Sequence, residues 1–453
     1  MNARLGIIGA GPGGYVAAVY AAKKGLDVTI FEMEHPGGEC TNYGCIPTKC
    51  FYTYAHQMHK IHKAKKRKIF TEVPDIDYRR IVNRKDQVVK RSRKGVQYLM
   101  KKAGVELVTK EAEYIGNNKI KTIPDGKEYD FDFVLLAMGS DAAIPPIDGL
   151  EGVRVWTNRE TLASNSLPKN ILIVGAGVIG VEFAGIMNAF GASVTVIEML
   201  PTILASLDHT MRELEHKTMV KNGIKIITKS SCEKIEAAAE KYIAHYEGEK
   251  HEFDAVILAT GRSPRTPKNA INLGFDVDRR GHIDINCMMY TGVDNVYAIG
   301  DLIGEPYLAH KASAQAEIAV DNILGNARKE SQFYPAAVFG DLEIGSIGLT
   351  EQEAKEKYGE DIKIGEFPYI ASGKAQAEDE TEGLVKFITD KDGIVRGIHI
   401  AGEGAAELLA TASIVVQKGM KIEDLEEIIF AHPTLSEMLK ESILDCIDGA
   451  IHK

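Results

Sequence analysis

The chain has 453 residues, a formal net charge of −10, 45% hydrophobic and 26% charged residues, and 43 glycines. That is the composition of an ordinary globular protein with ample core, and it excludes a disordered chain, a fibre and a disulfide-stapled miniprotein. At roughly 150 residues per domain the length suggests about three domains, while the net acidity argues against nucleic acid as the main partner. No apolar run approaches the ~20 residues that span a bilayer, so no membrane association is expected. Met1-Asn2-Ala3-Arg4 leads straight into the apolar run Leu5-Gly6-Ile7-Ile8, so no signal peptide is expected and the default address is the cytoplasm.

In chain order, the first unit is the strand Leu5–Ile8, the loop Gly9-Ala10-Gly11-Pro12-Gly13-Gly14, an Ala-rich helix to Lys24, and the strand Val28–Phe31 ending at Glu32. The pattern recurs as Ile171–Val174, Gly175-Ala176-Gly177-Val178-Ile179-Gly180, a helix to Phe190, and Val194–Ile197 ending at Glu198. From the third glycine to the acid is 18 residues in both copies. This is the βαβ dinucleotide unit, twice. Its first glycine allows a tight turn, its second lets backbone approach a pyrophosphate, and its third lets helix pack on strand. The helix N-terminus offers unpaired N–H groups to the phosphates, and Glu32 and Glu198 are expected to accept hydrogen bonds from ribose hydroxyls.

Between the two units lie Cys40 and Cys45, in Gly37-Gly38-Glu39-Cys40-Thr41-Asn42-Tyr43-Gly44-Cys45-Ile46-Pro47-Thr48-Lys49. Their spacing can close a small disulfide ring at the start of a helix, where the dipole and Lys49 favour thiolate. A metal site is the weaker reading, because no second Cys/His pair of suitable spacing follows. A pair of inert buried cysteines is the bland alternative. Next comes a basic stretch, residues 60–102, with sixteen Lys/Arg against four acids. Such runs usually coat solvated helix faces. A docking face for an acidic partner is the sharper possibility. From 335 onward the pattern is α+β without a nucleotide fingerprint. Alternation in Val385–Ile388 and Ile394–Ile398 predicts antiparallel strands, and helices are predicted over Ala405–Lys418, stopped by Gly419, and over Thr434–Asp448.

These motifs resemble, over essentially the whole chain, the FAD-dependent pyridine nucleotide–disulfide oxidoreductases. Gly37–Lys49 is close to their redox-disulfide signature, with Thr48 where Ser is more frequent. Ala137-Met138-Gly139-Ser140, Gly261-Arg262-Ser263-Pro264, Ala298-Ile299-Gly300-Asp301, Leu308-Ala309-His310-Lys311-Ala312 and Ala431-His432-Pro433-Thr434-Leu435-Ser436-Glu437 follow in family order. The last has the form typical of the branch that oxidises dihydrolipoamide, the dihydrolipoyl dehydrogenases. Phe430 stands where His is frequent, and Asp341-Leu342-Glu343 replaces a usual Pro-Glu pair. Neither departure is expected to touch the chemistry.

The resemblance implies an α/β fold with two Rossmann-like domains and a C-terminal α+β dimerisation domain. The implied boundaries are 1–145 for the first part of the FAD domain, 146–264 for the NAD domain, 265–334 for the flavin return segment, and 335–453 for the interface. It implies Cys40 as interchange thiol, Cys45 as the thiol beside the flavin, and His432 as base oriented by Glu437. Gly9, Gly11, Gly14, Glu32, Lys49, Ala112, Ser140, Gly300, Asp301 and Ala309 are the implied FAD contacts. Gly175, Gly177, Gly180, Glu182, Glu198 and Gly261 are the implied NAD contacts, and Met199-Leu200-Pro201 holds no cation for a 2′-phosphate, so NAD is favoured over NADP. No metal is implied. The expected reaction is oxidation of dihydrolipoamide by NAD+, in a homodimer that serves a lipoylated carrier or the acyltransferase core of a multienzyme complex. An NAD(P)H-driven reductase of another disulfide is the alternative enzyme, and a chiefly docking subunit the non-enzymatic one. Cys50, five residues past Cys45, is expected to face away.

Overall fold

A computed structural model describes residues 2–453 apart from 152, 239 and 240. The first βαβ unit builds a parallel sheet in which Arg4–Ile8 lies between Asp27–Phe31 and Phe133–Leu136. Glu106–Val108 extends one edge, and Val296–Ala298, far along the chain, closes the other. Its strands are buried on both faces, which is why they read as unbroken apolar runs. The Pro12–Lys23 helix covers one face against Ala309–Ile323, so the chain returns to this lobe after an excursion.

That excursion is a second parallel sheet, ordered Lys225–Thr228, Ser193–Glu198, Asn170–Val174, Ala255–Leu258. The two crossings between lobes pair antiparallel, Ser140–Ala142 against Arg262–Pro264. The motifs around Ser140 and Gly261 are therefore two halves of one hinge ladder. The last lobe is a five-stranded antiparallel sheet from Ala336–Phe339 to Val395–Ala401, backed by Ala405–Lys418 and Glu437–Ile447.

The predicted strands near 385 and 395 pair directly, and Gly419 ends its helix in a left-handed turn (φ +58°). The final helix begins at Glu437 instead of Thr434. Residues 431–436 form a turn in which Thr434 Oγ1 donates to the Ala431 carbonyl. Among the described residues no helix is long and apolar enough to cross a membrane.

The basic stretch forms two packed helices, Cys45–Lys66 and Tyr78–Lys102. The first is less free than its composition suggests. Lys60 pairs with Glu403 at 2.9 Å, Lys63 with Glu380, and Arg67 with Asp379, all from the last lobe. On the second helix Lys85 is buried on the Leu162 carbonyl, whereas Arg84, Lys90, Arg91, Lys94 and Lys101 are exposed.

Candidate active site

A cavity of about 860 Å³ opens between the first two lobes. Gly9 and Gly11 of the first loop line it, with Glu32, Cys40, Cys45, Lys49, Ala112, Ser140, Glu182, Gly300, Asp301 and Ala309. Gly14 does not. A Cβ there would overlap the Gly9 carbonyl oxygen, so this glycine permits close packing instead of ligand contact. Gly180 stands in the same relation to Gly175. Gly175, Gly177, Gly180, Glu198 and Gly261 lie outside this cavity's lining, although Val178, Ile179 and Glu182, on the helix after the second loop, reach it.

Glu32 and Glu198 do the same thing in each copy. Glu32 accepts from the Ala10 and Glu34 amides at 2.8 and 2.9 Å. Glu198 accepts from those of Ala176 and Leu200, both at 2.7 Å. Each carboxylate thus tethers its own glycine loop, and its remaining lone pairs are what a ribose hydroxyl would meet. Two helix N-termini without side-chain caps, at Gly11 and Leu308, face the cavity and present free amides.

Cys40 sits in the short helix Gly38–Tyr43, and Cys45 is the first residue of Cys45–Lys66. Both are thiols in the structure. The Cys40 thiol is pushed up by its hydrogen bond to Cys45 and by burial. Cys45 is held down by that same bond, with the Lys49 ammonium adding to it against the cost of burial. Of the two thiols, Cys45 is therefore the one that loses its proton first. Lys49 binds both oxygens of Glu182, at 2.8 and 2.7 Å, and lies 4.3 Å from the Phe339 ring centroid. The Phe339 amide donates to the same carboxylate at 3.1 Å.

Residues 341–343 themselves do not line the cavity, but they follow closely on Phe339. Phe339 is two residues before Asp341, and the Asp341 and Leu342 amides are both held at 2.8 Å by the buried Glu215. The turn that replaces the usual Pro-Glu pair is thus held by Glu215, and Phe339, paired with Glu343 in the sheet, is the residue of this segment that reaches Glu182.

Sequence reading also missed the grip on the redox loop. Asn158 donates to Glu39 and to the Tyr43 carbonyl at 2.8 and 2.6 Å. Arg159 binds Glu39 at 2.7 Å and Glu34 at 3.0 Å, with its guanidinium 4.0 Å above the Tyr43 ring. No local signal marks such contacts across some 120 residues. Cys50 is half-buried outside the cavity, its thiol pushed up by burial with Arg84 and Lys85 the nearest charges. It faces away, as expected.

His432 and Glu437 are joined at 3.0 Å, and Glu437 also accepts from the Thr434 amide at 2.8 Å. Burial would raise the Glu437 carboxyl, but that amide and His432 hold it below its ordinary value. The imidazole is 80% exposed and outside the cavity lining, so within one chain it is not gathered with the cysteines.

Residues 3–316 match the pyridine nucleotide-disulphide oxidoreductase model, and residues 334–443 match that family's dimerisation domain. The dihydrolipoyl dehydrogenase of Zymomonas mobilis is 35% identical over 98% of each chain, and that of Bacillus subtilis is 35% identical over 99% of each. Among solved structures, the HOCl-induced flavoprotein disulfide reductase RclA of Escherichia coli superposes with a TM-score of 0.87 at 27% identity, covering 98% of this chain and 99% of that one. LpdA of Mycobacterium tuberculosis, at 23% identity and a TM-score of 0.90 over 98% and 99%, shares the fold. The family uses FAD and NAD(H). With both of its models matched in order and full-length relatives at this identity, the chain belongs to the pyridine nucleotide-disulphide oxidoreductases.

Proposed function

We propose that the chain oxidises protein-bound dihydrolipoamide with NAD+, as the E3 or L-protein component of a 2-oxo acid dehydrogenase or glycine cleavage system. The observation that carries this is the asymmetric thiol pair. The leaving thiolate Cys45, beside Lys49, lies on the wall of a dinucleotide-sized cavity, and the partner thiol Cys40 is left to exchange with substrate. The cavity fits FAD by its chemistry: uncapped helix N-termini for the pyrophosphate, Glu32 for a ribose and Asp301 for the ribityl chain. When bound, FAD supplies two-electron chemistry between the thiols and the nicotinamide.

The chain's own residues divide the remaining work. In the oxidised enzyme Cys40 and Cys45 form a disulfide. Substrate thiolate attacks Cys40, Cys45 leaves as thiolate, and the substrate's second thiolate then displaces Cys40 to release lipoamide. His432 takes the proton of the attacking substrate thiol, the proton of the second thiol ends on Cys40, and Glu437 holds the imidazole on its Nδ1 side. The exposed imidazole reaches the cysteines of a second copy in the homodimer. Lys49 and Glu182 hold charge at the nicotinamide end. NAD is preferred over NADP because a 2′-phosphate beside Glu198 would meet Met199 and Leu200 without a cation. The reading supposes the cytoplasm, where a reducing pool keeps such thiols in play.

Anaerobic titration with dihydrolipoamide tests this. The expected result is flavin bleaching with a long-wavelength absorbance band; absence of both rejects it. Glutathione disulfide and coenzyme A disulfide are the controls for a general disulfide reductase, the reading favoured by the likeness to RclA.

The docking face is the exposed side of Tyr78–Lys102, and the partner it fits is an acidic lipoyl-carrying domain. Since Arg67 is already paired, the informative charge reversals are Lys90, Arg91, Lys94 and Lys101. They should slow turnover of a lipoylated protein and spare free lipoamide. Equal effects on both substrates would remove the idea.

A further inference from the structure

A hydrogen-bonded chain outside the described machinery ends at the cavity wall. Asp278 and His282 flank a tight turn, in which the Asp278 carboxylate accepts from the Arg280 and His282 amides at 2.8 and 2.9 Å. Its other oxygen meets His282 Nδ1 at 2.8 Å, and His282 Nε2 meets the Tyr307 hydroxyl, also at 2.8 Å. The imidazole is buried, whereas the Asp278 side chain is half exposed. Tyr307 lines the cavity, between Asp301 and the N-terminus of the Ala309–Ile323 helix.

The donors can be assigned. Three hydrogen bonds hold the Asp278 carboxyl down, so it is an ionised acceptor and Nδ1 carries the proton. With Nδ1 donating to the carboxylate, Nε2 is the ring nitrogen left to accept, and the Tyr307 hydroxyl donates to it. Burial and the Glu305 and Asp301 carboxylates push the phenol up, so its proton stays in place. The segment leading from Asp301 to Tyr307 is fixed from its other side as well. Lys311 Nζ donates to the Gly304 and Glu305 carbonyls at 2.9 and 3.1 Å, Arg280 pairs with Glu305 at 2.9 Å, and the Ile283 amide donates to the Leu302 carbonyl at 3.0 Å. A loop needing only to connect a short turn to a helix does not require a buried imidazole with both nitrogens engaged. Such a ring fixes the rotation of the phenol it holds, and that phenol forms cavity wall.

We propose that Tyr307 contacts the bound flavin, and that His282 and Asp278 are its positioning residues, holding the aromatic ring against the cofactor with the phenolic proton turned away into His282. The oxygen is thereby electron-rich on its cavity side and offers an acceptor to a flavin hydroxyl or imide N–H. This rests on the cofactor reading above and adds to it a residue triplet that neither nucleotide motif contains.

The test uses the full-length dimer stripped of flavin and reloaded with FAD, compared with Tyr307→Phe, His282→Gln and Asp278→Asn. FAD dissociation constants are measured by flavin fluorescence, the bound flavin by its visible spectrum, and folding by thermal melting. Loss of one well-placed hydrogen bond should weaken FAD binding about five- to tenfold. Tyr307→Phe and His282→Gln should each do so and shift the flavin bands, and the double variant should be no worse than either single one, because both break the same chain. If the variants melt earlier yet bind FAD with wild-type affinity and spectrum, the triplet only pins the loop and the proposal is overturned. Additive losses in the double variant overturn it too. Wild-type protein that takes up no FAD would instead bring down the cofactor reading itself, and this proposal with it.

Discussion

Lys49 and Glu182 meet through both carboxylate oxygens across the boundary between the first two lobes, within a cavity that each lobe lines only in part. One residue belongs to the helix that starts at Cys45, the other to the helix that follows the second glycine loop. The pair therefore ties the thiol side of the site to the nucleotide side, and the Phe339 amide adds the last lobe to the same carboxylate.

Glu182→Gln should weaken this tie selectively. Charge-assisted bonds of this kind contribute about 1.5–3 kcal/mol each, so a ten- to hundredfold slowing is expected in the half-reaction with NAD+. Reduction by dihydrolipoamide should fall less. Stopped-flow measurement of the two half-reactions separates them, and equal losses in both would contradict the assignment.

The thiols predict an asymmetry between serine variants. Cys45 is the lowered thiol, so Cys40→Ser should retain a long-wavelength band that fades as pH falls through the Cys45 value. Because the Cys40 hydrogen bond is the largest influence lowering Cys45, that fading should set in at higher pH than in reduced wild type, the serine hydroxyl being an altered donor. Cys45→Ser should show no band at any pH. Both should lose dithiol oxidation by at least about a hundredfold.

His432→Gln should reduce dihydrolipoamide oxidation by about 10²- to 10⁴-fold, the range for removal of a general base. Mixed dimers of Cys45→Ser and His432→Gln subunits give the sharper measurement. If His432 serves the partner's cysteines, one of the two sites in each mixed dimer is intact and about half the wild-type activity returns. No recovery would place base and sulfur in the same subunit.

Motifs with a fixed local mechanism were legible in the sequence. Both glycine loops, with their helices and tethering acids, could be read because each function is met within one βαβ unit. The roles of Cys40, Cys45, His432 and Glu437 came instead from the family resemblance, and the structure adds the short-range contact that joins the last two. What escaped were partners brought in from afar: Arg159 over Tyr43, Phe339 on Glu182, and His282 behind Tyr307. The basic stretch shows the limit from the other side. Its composition was plain, but the carboxylates at 379, 380 and 403 that bind part of it lie more than 300 residues away.

Glu215 gives a stability prediction. Burial and the neighbouring Asp341 push its carboxyl up to about 8, well above an unfolded glutamate. The folded state therefore binds a proton that the unfolded state releases. The associated stability is full below about pH 4.3 and is lost as pH rises through about 8. Asp341 is raised by burial and adds in the same direction. Urea midpoints measured from pH 5 to 9 should decline in wild type, and the decline should be shallower in Glu215→Gln. An unchanged slope would show that this carboxyl does not titrate late.

The helix that opens at Cys45 is anchored at its far end, through Lys60, Lys63 and Arg67, to the lobe that matches the dimerisation domain. It is a shaft with one end at the cysteine pair in the cavity and the other on the lobe of self-association. High ionic strength that frees the distal end, or separation of the two copies, would reach the sulfur as axial play long before the fold itself gave way.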